Sequence, residues 1–318
     1  MRNSLSEKFQ INKHTGVYLI LVLILIVSGF YSPGFVKPNN LLTMLRQASA
    51  LGILTIGQLF VIVGGGVDLS LEATLQMAIA IFMFGFNNFG ETGLIIGLLA
   101  AVLFGLLAGF VNGLLVIRYH VQPFLTTLFT GSIITGIRLI WVGIDLGGNV
   151  PNFIRFFGRD RTLTIPNAAI VFSVVAVIAF FLINRSVFGR KLVAVGTNYD
   201  AAIYSGIKAR RTVILSYMIS GVSAVLASVV LSGYVGFADR WIGAGMSFNS
   251  LIAAVIGGNY LGGGRGSVIG VIGGAMLMTI VINFVTLLGF SSAYQHIVSG
   301  LVLIITIFIG SYFKNKNS

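Results

Sequence analysis

The chain has 318 residues, of which 56% are hydrophobic and only 9% are charged. Soluble domains usually contain about 25% charged residues, so the composition argues against an ordinary soluble enzyme. The net charge of +12 is explained by basic loops between apolar runs rather than by a nucleic-acid partner, and we expect no nucleic-acid binding. With no cysteine and three widely separated histidines, the sequence also predicts no disulfide and no metal site.

Long apolar runs predict an all-α, polytopic bundle of about ten membrane spans that forms one transmembrane domain over residues 1–318. A spanning helix needs about 20 mostly apolar residues, which leaves no room for a separate soluble domain of normal size. The first run follows a polar stretch without a small-residue cleavage site, so we interpret it as a retained helix and not a signal peptide. The runs lie at 17–31, 47–64, 69–87, 93–117, 123–143, 167–184, 212–236, 247–262, 267–288 and 294–313.

The distribution of basic residues predicts the orientation of the spans. If the spans alternate from a cytoplasmic N-terminus, most of the 20 Lys and Arg residues fall on the cytoplasmic side. Both termini are therefore predicted to be cytoplasmic, in a multi-pass protein of a prokaryotic plasma (inner) membrane with the lipid bilayer around it. Arg155, Arg159 and Arg161 are a local contradiction, because they fall on the outer side.

Two loops are longer than the others. Residues 144–166 are predicted to form an external loop, and residues 185–212 an internal loop rich in basic side chains. Within the internal loop, residues 200–204 favour a short helix, because Asp200 suits its start and Gly206 its end. We interpret this short helix as a handle for a partner protein.

Small residues recur every four positions in three of the spans. Such stripes let helix backbones approach closely in lipid, and packing within the chain is the favoured interpretation over a direct role with a substrate. The stripes consist of Gly105, Gly109 and Gly113, of Ser216, Ser220, Ala224, Ser228 and Ser232, and of Gly266, Gly270 and Gly274.

Two glycine runs, at 64–66 and 257–258, interrupt apolar segments. Irregular backbone at membrane depth is tolerated only where protein buries it or water reaches it. Paired interruptions of this kind in the two halves of a chain indicate a transport pathway. The pattern of a glycine break and a glycine-striped helix in each half further suggests an inverted repeat of helices 2–5 and 7–10 around helix 6.

Polar side chains near these breaks are the candidates for a substrate path. Asp68 and Glu72 are four residues apart, and either they cap the third helix or they contact solute or protons. Thr126 and Thr127 either bond their own helix or bind a polar ligand. Arg138 either extends outward, pairs with Asp145 or binds a ligand. The complete candidate path is Asp68, Ser70, Glu72, Thr126, Thr127, Asn249 and Asn259.

No P-loop, H-E-x-x-H or G-x-S-x-G motif is present, so we predict no catalytic site and no cofactor on this chain. If ATP drives transport, the nucleotide must bind another polypeptide.

Five motifs together resemble the ribose-type carbohydrate permeases of ATP-binding-cassette (ABC) importers, the family that includes ribose, xylose, arabinose and galactose importers. The motifs follow one another in order and cover roughly residues 15–313. They are G-G-V-D-L-S at 65–70, V-N-G-L-L-V at 111–116, Q-P-F-L-T-T-L at 122–128, F-G-R-K-L-V-A-V-G-T-N at 188–198, and V-I-G-G followed by G-G-G-R-G-S within 255–267.

The resemblance implies the importer permease fold and a set of partners. These are a second permease copy, identical or paralogous, two cytoplasmic ATP-binding subunits that hold ATP and Mg²⁺, and an extracytoplasmic solute-binding protein. It also implies that the internal loop contacts the ATPase. The implied coupling residues are Gly189, Arg190, Asn198, Asp200, Ala201, Gly206, Arg210 and Arg211.

Two departures from the family pattern leave the solute open. Glu72-Ala73 stands where the family usually has Gly-Ser, and Asn259-Tyr260 replaces the more usual Gly-Thr type of pair. A sugar is the leading hypothesis, and a nucleoside or furanosyl signalling molecule is the alternative within the family. An ion-coupled secondary transporter that uses Asp68 and Glu72 as a relay is the alternative of another class. A membrane-embedded enzyme is disfavoured by the missing catalytic motifs.

Overall fold

The computed structural model describes residues 13–142, 148–239, 241–291, 293–295, 297–301 and 304. Within these residues the protein is almost entirely helical, as predicted. Six helices are long and apolar enough to cross a membrane, namely α2, α3, α4, α6, α9 and α11 below. The helices are α1 (Lys13–Tyr31), α2 (Pro38–Val63), α3 (Leu71–Tyr119), α4 (Pro123–Val142), α5 (Asn152–Gly158), α6 (Asn167–Asn184), α7 (Val187–Thr197), α8 (Tyr199–Tyr204), α9 (Ala209–Val235), α10 (Met246–Ile256) and α11 (Val268–Leu287).

A two-stranded antiparallel hairpin, β1 (Arg161–Thr162) and β2 (Ile165–Pro166), lies between α5 and α6. The predicted external loop 144–166 thus contains α5 and this hairpin, and residues 144–147 lie outside the described part. The predicted termini and most of the tenth apolar run also lie outside the described residues.

The 49 residues of α3 form two antiparallel arms rather than one straight helix. At about 1.5 Å per residue, a straight helix of this length would be more than twice as long as a hydrocarbon core of about 30 Å. The chain reverses at Gly90, where φ is 60° and ψ is −145°. A Cβ at Gly85 would collide with the carbonyl of Gly93, and one at Gly97 would lie 2.7 Å from the Cα of Phe82. The two arms correspond to the predicted third and fourth runs.

Helix α2 is the centre of the bundle. Of its 26 residues, 18 are buried, and it packs against α6, α9, α10 and α11. A helix that is apolar on all faces is stable only where protein or lipid surrounds it completely. In contrast, only 5 of the 20 residues of α4 and 7 of the 18 residues of α6 are buried. Both helices expose large apolar side chains such as Ile140 and Phe181, as expected of helices that face lipid or another subunit.

The second arm of α3 and α9 cross at backbone distance along the predicted glycine stripe. A Cβ at Gly105 would lie 2.7 Å from the carbonyl oxygen of Gly221, and one at Gly113 would lie 2.7 Å from the Cα of Ile214. A Cβ at Gly109 would collide with the carbonyl of Tyr217. The stripe therefore faces protein and not a solute path, since any side chain there would push the helices apart.

Helix α10 differs from the predicted eighth span, because it ends at Ile256 and not near residue 262. Its 11 residues at about 1.5 Å each cover roughly half of a hydrocarbon core of about 30 Å. The second half of the apolar run is irregular because its glycines leave the helix. Gly274 of α11 lies against the carbonyl of Ala253, and Gly270 lies against Gly257, whereas Gly266 precedes α11 and faces Val63 of α2.

The two predicted breaks lie at the same end of the bundle. The backbone N–H of Gly264 donates to the carbonyl of Val63, the last residue of α2, at 2.9 Å. An inverted repeat exchanges the two ends of a bundle, so it cannot superimpose one of these breaks on the other. The counterpart of 64–70 in such a repeat would be a segment between α9 and α10, so the contact between the two breaks gives no support to the predicted inverted repeat, which stays a prediction.

Candidate transport path and coupling loop

The segment 64–70 connects α2 to α3 as buried, irregular backbone. Helix α2 ends with hydrogen bonds from the N–H groups of Gly64, Gly65 and Gly66 back to its last turn. Gly65 has a φ of +88°, a conformation that other residues rarely adopt, and a Cβ at Gly66 would lie 2.5 Å from the hydroxyl of Tyr217. The glycines thus allow the chain to leave the helix and turn back inside the bundle.

Asp68 is the centre of a buried polar cluster. Its side chain is 1% exposed. One carboxylate oxygen accepts from the N–H of Ser70 at 3.0 Å and from the hydroxyl of Ser70 at 2.6 Å, and the other accepts from the hydroxyl of Ser220 in α9 at 2.7 Å. These hydroxyl and backbone N–H donors stabilise a charge that would otherwise be costly at this depth.

This geometry differs from simple capping of α3. The N-cap residue of α3 is Ser70, and its side chain makes no capping hydrogen bond. Asp68 instead binds Ser70 itself and connects it to α9. Asn112, in the second arm of α3, donates to the Ser70 hydroxyl at 2.8 Å. Asp68 therefore ties the start of α3 to two other helical segments, a role that neither the capping nor the solute-contact hypothesis had described.

The backbone next to Asp68 is held by three helices, α4, α10 and again α9. The N–H of Leu69 donates to Oγ1 of Thr127 in α4 at 2.9 Å, and the hydroxyl of Ser247 in α10 donates to the carbonyl of Leu69 at 2.9 Å. The hydroxyl of Tyr217 in α9 donates to the carbonyl of Val67 at 3.4 Å. Irregular backbone in a membrane needs such partners, because lipid provides none.

Glu72 contacts the N-terminus of α10. Its carboxylate accepts from the N–H of Gly245, the N-cap residue of α10, at 2.9 Å, and its own N–H donates to the hydroxyl of Ser247 at 2.8 Å. The N-terminal end of a helix carries partial positive charge, so an acid is favourable there. Glu72 thus lies in the first turn of α3, as predicted, and also neutralises the start of the half-length helix α10.

Asn259 organises the second break. Its amide nitrogen donates to the carbonyl of Ala254 at 2.7 Å, and its amide oxygen accepts from the N–H of Ser267 at 2.6 Å. Ser267 in turn caps α11 by accepting from the N–H of Gly270 at 3.2 Å. Asn259 is 3% exposed, and these hydrogen bonds stabilise the break itself.

The other candidate path residues are spread over α4 and α10. The hydroxyl of Thr126 bonds its own helix, at the carbonyl of Gln122, at 3.1 Å. Asn249 is half-buried in α10. Arg138 is 1% exposed, so it does not extend outward to solvent, and Asp145, its predicted partner, lies outside the described residues. The structure therefore brings Asp68, Ser70 and Thr127 into one cluster and leaves Thr126 and Asn249 outside it.

The internal loop 185–212 is mostly helical. The hydroxyl of Ser186 caps α7, and Gly189 allows α7 to start against the carbonyls of Leu182 and Ile183 at the end of α6. Arg190 is exposed on α7. Asn198 ends α7 and caps α8, because its side chain accepts from the N–H of Ala201 at 2.9 Å. Sequence reasoning predicted α8 but not α7.

Helix α8 is the exposed tip of this loop. The short helix predicted at 200–204 is present with Asp200 in its first turn, and Gly206 follows it with a φ of +78°. Tyr204 is 91% exposed and Ile203 is 45% exposed. A large aromatic side chain with so few contacts within the chain is typical of a residue that packs against a partner.

Arg210 and Arg211 were predicted in the loop, but they lie in the first turn of α9. Both side chains are exposed. Positive charge at a helix N-terminus opposes the helix dipole and is slightly destabilising. Their position therefore has no evident benefit for the stability of α9.

The basic group predicted on the outer side has a structural role. Helix α9 ends at Val235, and its C-cap Gly236 has a φ of +85°. Nη2 of Arg155 donates to the carbonyl of Gly236 at 2.9 Å and to Oδ1 of Asn149 at 3.3 Å, and Arg159 also lies beside Gly236. Cations are favourable at the C-terminal end of a helix, which accounts for positive charge on this side.

Sequence reasoning missed several buried polar residues. Asn112 and Ser220 bind the Asp68 cluster, and Ser247 binds the backbone on both sides of Ser70. Gln58 of α2 is fully buried, and its amide has no hydrogen-bond partner among the described residues. The available signal was a polar side chain alone in an apolar run, which often has a function in a membrane protein.

Residues 40–307 match the family described as "Branched-chain amino acid transport system / permease component". The chain belongs to this family. The ribose import permease RbsC of Bacillus subtilis (strain 168) is 33% identical over 303 residues, which cover 92% of this chain and 91% of the relative. The D-allose transport system permease AlsC of Escherichia coli (strain K12) is 31% identical over 295 residues, covering 91% of this chain and 89% of the relative.

The galactose/methyl galactoside import permease MglC of Haemophilus influenzae (strain ATCC 51907 / DSM 11121 / KW20 / Rd) is 27% identical over 330 residues, with 98% of each chain covered. No solved structure matches the chain. Within the family, the relatives assign the chain to the carbohydrate ABC transporter permeases.

Proposed function

We propose that the chain is the membrane-spanning permease subunit of an ABC importer that brings a sugar into a bacterial cell. The observation that carries this proposal is the similarity to named sugar import permeases over about nine-tenths of both chains. The buried breaks and the exposed α8 tip support it, because a transporter driven by a separate ATPase needs both a pathway through the bundle and a surface for the motor.

In this proposal the solute arrives on an extracytoplasmic binding protein, and two cytoplasmic ATP-binding subunits drive two permease copies between outward- and inward-open states. ATP and Mg²⁺ belong to the partner subunits. The inner membrane contains the chain with both termini in the cytoplasm. Ten spans would comprise α1, α2, the two arms of α3, α4, α6, α9, α10, α11 and the run 294–313, with α10 crossing only part of the bilayer.

The partly buried carboxylate of Glu72, at the start of α10, favours a solute that is rich in hydroxyl groups. Hydroxyls donate to carboxylates and accept from amides, and binding sites for small polar molecules combine a few such groups with apolar walls. Glu72 is only partly buried, so it is the acid in this region that retains access to a passing solute. An anionic sugar derivative is disfavoured by the same charge.

The function is tested with the permease, its ATP-binding subunit and its binding protein reconstituted in vesicles. Ribose, allose, galactose, a nucleoside and a branched-chain amino acid are offered separately as radiolabelled solutes. We expect ATP-dependent uptake of one of the sugars and none without the ATP-binding subunit. Uptake by the permease alone on an ion gradient would establish the secondary-transporter alternative, and uptake of only the nucleoside or the amino acid would exclude the sugar.

The docking surface has its own test, which uses the position of Arg210 and Arg211 in α9. Replacing both by Glu places acids at a helix N-terminus, where they are favourable, so the fold should be retained. We expect the double variant, and separately Tyr204→Ala, to reduce co-purification of the ATP-binding subunit by about tenfold.

Lys37→Glu is the matched control, since Lys37 precedes α2 at the opposite, predicted outer side. Normal co-purification with both loop variants would remove α8 and the start of α9 from the docking surface.

A further inference from the structure

The last turn of α7 meets both breaks through backbone atoms. A Cβ at Gly196 would collide with the carbonyl oxygen of Val63 and lie 2.6 Å from the backbone nitrogen of Gly264. Gly196 therefore cannot carry a side chain without separating α7 from the end of α2 or from the second break. Both neighbours are backbone atoms, which cannot rotate away as the end of a flexible side chain can.

The two breaks also touch each other at this point. The N–H of Gly264 donates to the carbonyl of Val63 at 2.9 Å. A Cβ at Gly263 would lie 2.5 Å from the carbonyl oxygen of Gly196 and 2.9 Å from the Cα of Gly65. Gly65, Gly263 and Gly264 all have positive φ angles. We call Gly65, Gly196, Gly263 and Gly264 the glycine joint.

The glycine joint is continuous with the exposed tip of the internal loop. Asn198 is both the C-cap of α7 and the N-cap of α8, so no flexible linker separates the two helices. On its other side, the joint continues from Gly65 through residues 66 and 67 to Asp68, and from Gly263 through residues 260–262 to Asn259. A movement of α8 therefore reaches both breaks over a short path.

Close backbone contact determines how such a movement is transmitted. Side chains at an interface can change rotamer and absorb a displacement, but packed backbone can only move together or separate. The hydrogen bond between Gly264 and Val63 opposes separation, because it would leave a buried carbonyl and a buried N–H without partners.

We propose that the glycine joint is the element through which α7 and α8 move both breaks as one body during transport. The proposal rests on the function proposed above and assigns Gly196 as a positioning residue. It predicts that loosening the joint separates ATP hydrolysis from solute movement while the complex still assembles.

The first experiment compares Gly196→Ala with Gly136→Ala in the complete reconstituted transporter. Gly136 of α4 is the control, because a Cβ there has no atom within 4 Å. We expect the Gly196→Ala variant to bind the ATP-binding subunit. The amount of solute transported per ATP hydrolysed should fall by about tenfold, a factor typical of the coupling between two sites. Gly136→Ala should keep the wild-type ratio. A wild-type ratio in Gly196→Ala would overturn the proposal.

The ratio of solute to ATP does not change when a variant merely yields less folded protein, so it separates positioning from a loss of stability. A wild-type complex that transports nothing with ATP would count against the proposed function, whereas a working wild type with an unchanged Gly196→Ala ratio counts against the joint alone.

A second measurement needs no substitution. Hydrogen exchange of peptides that cover 60–66 and 260–266 is compared in the wild-type complex without nucleotide and with ATP trapped on the partner subunit. Movement as one body predicts equal protection of the Gly264 amide in both states, since its bond to Val63 persists. Exchange that is about tenfold faster in one state would show that the joint opens, and would contradict the proposal even if Gly196→Ala fails to assemble.

Discussion

The breaks at 64–70 and 257–267 share one arrangement. In each, the side chain of an Asp or Asn accepts the backbone N–H of the serine that precedes the next helix. Asp68 accepts from Ser70 at 3.0 Å, and Asn259 accepts from Ser267 at 2.6 Å. Both breaks begin with a glycine run, and both lie at the same end of the bundle. The serine N–H before each new helix would otherwise have no acceptor in its apolar surroundings. In both breaks a nearby Asp or Asn side chain provides that acceptor.

The two breaks differ in what else the side chain binds. The second carboxylate oxygen of Asp68 reaches Ser220 of α9, and Ser70 is bound by Asn112 of the second arm of α3. The amide nitrogen of Asn259 instead binds Ala254 of the preceding helix. A buried carboxylate needs several donors, and Asp68 takes one of them from the distant helix α9, whereas the neutral amide of Asn259 is satisfied locally. The side chain of Asp68 therefore ties the first break to the bundle core, whereas the side chain of Asn259 bonds only within the second break and to the helix before it.

Among the substitutions that test this difference between the breaks, Asp68→Ala should destabilise the protein most. It leaves the N–H and hydroxyl of Ser70 and the hydroxyl of Ser220 without their acceptor, and each unsatisfied group costs about 1–3 kcal/mol. We expect most of the purified protein to lose its monodisperse size-exclusion peak. Asp68→Asn keeps one acceptor oxygen and should preserve the fold and most uptake. Near-complete loss of uptake in Asp68→Asn at normal expression would instead indicate a function that depends on the charge.

Ser220→Ala should have an intermediate effect. It removes the donor from α9, and a hydrogen bond to a charged group contributes about 1.5–3 kcal/mol. Ser228→Ala is the control, because the hydroxyl of Ser228 is equally buried in α9 but bonds only its own helix, at the carbonyl of Val225. We expect the thermal unfolding midpoint in detergent to fall clearly more for Ser220→Ala. Equal shifts would mean that the link between Asp68 and α9 adds no stability.

Asn259→Ala should give the smallest effect of the three. It leaves the N–H of Ser267 without an acceptor, at about 1–3 kcal/mol, and no charge loses a partner. The carbonyl of Ala254 still accepts from the N–H of Asn259 at 3.2 Å. The same unfolding measurement checks this. A loss as large as that of Asp68→Ala would contradict the distinction between a side chain that binds a distant helix and one that binds only locally. Asn259→Asp sharpens the comparison, since it keeps the acceptor for Ser267 but places a charge where distant donors are not arranged.

Much of the helical architecture was predictable because it depends on local properties of the chain. The apolar runs located the long helices, and the polar gap between 87 and 93 coincides with the reversal of α3 at Gly90. Asp200 and Gly206 correctly predicted α8 and its end. The length of α10 was not predictable from hydropathy, since an apolar stretch can be a spanning helix, a half-length helix or a buried irregular segment.

The candidate site was predictable only in part. The acids and amides near the breaks stood out in an apolar sequence, but their partners did not. Ser220 looked like one member of a packing stripe, and Asn112 like one residue of a motif. Gly196 was only one residue of the motif at 188–198, and nothing in that motif showed that its Cα lies against the backbone of both breaks.

The sequence alone determined that this chain is a membrane bundle, where its main helices lie and which polar residues are candidates for a transport path. It could do so because hydropathy and turn propensity act over a few neighbouring residues. Only the tertiary structure decided that both breaks meet at one end, that Asp68 binds α9 and that Gly196 lies between the breaks. These contacts join residues more than 60 positions apart, and the free energy that selects them comes from packing and hydrogen bonding between helices rather than from any local pattern.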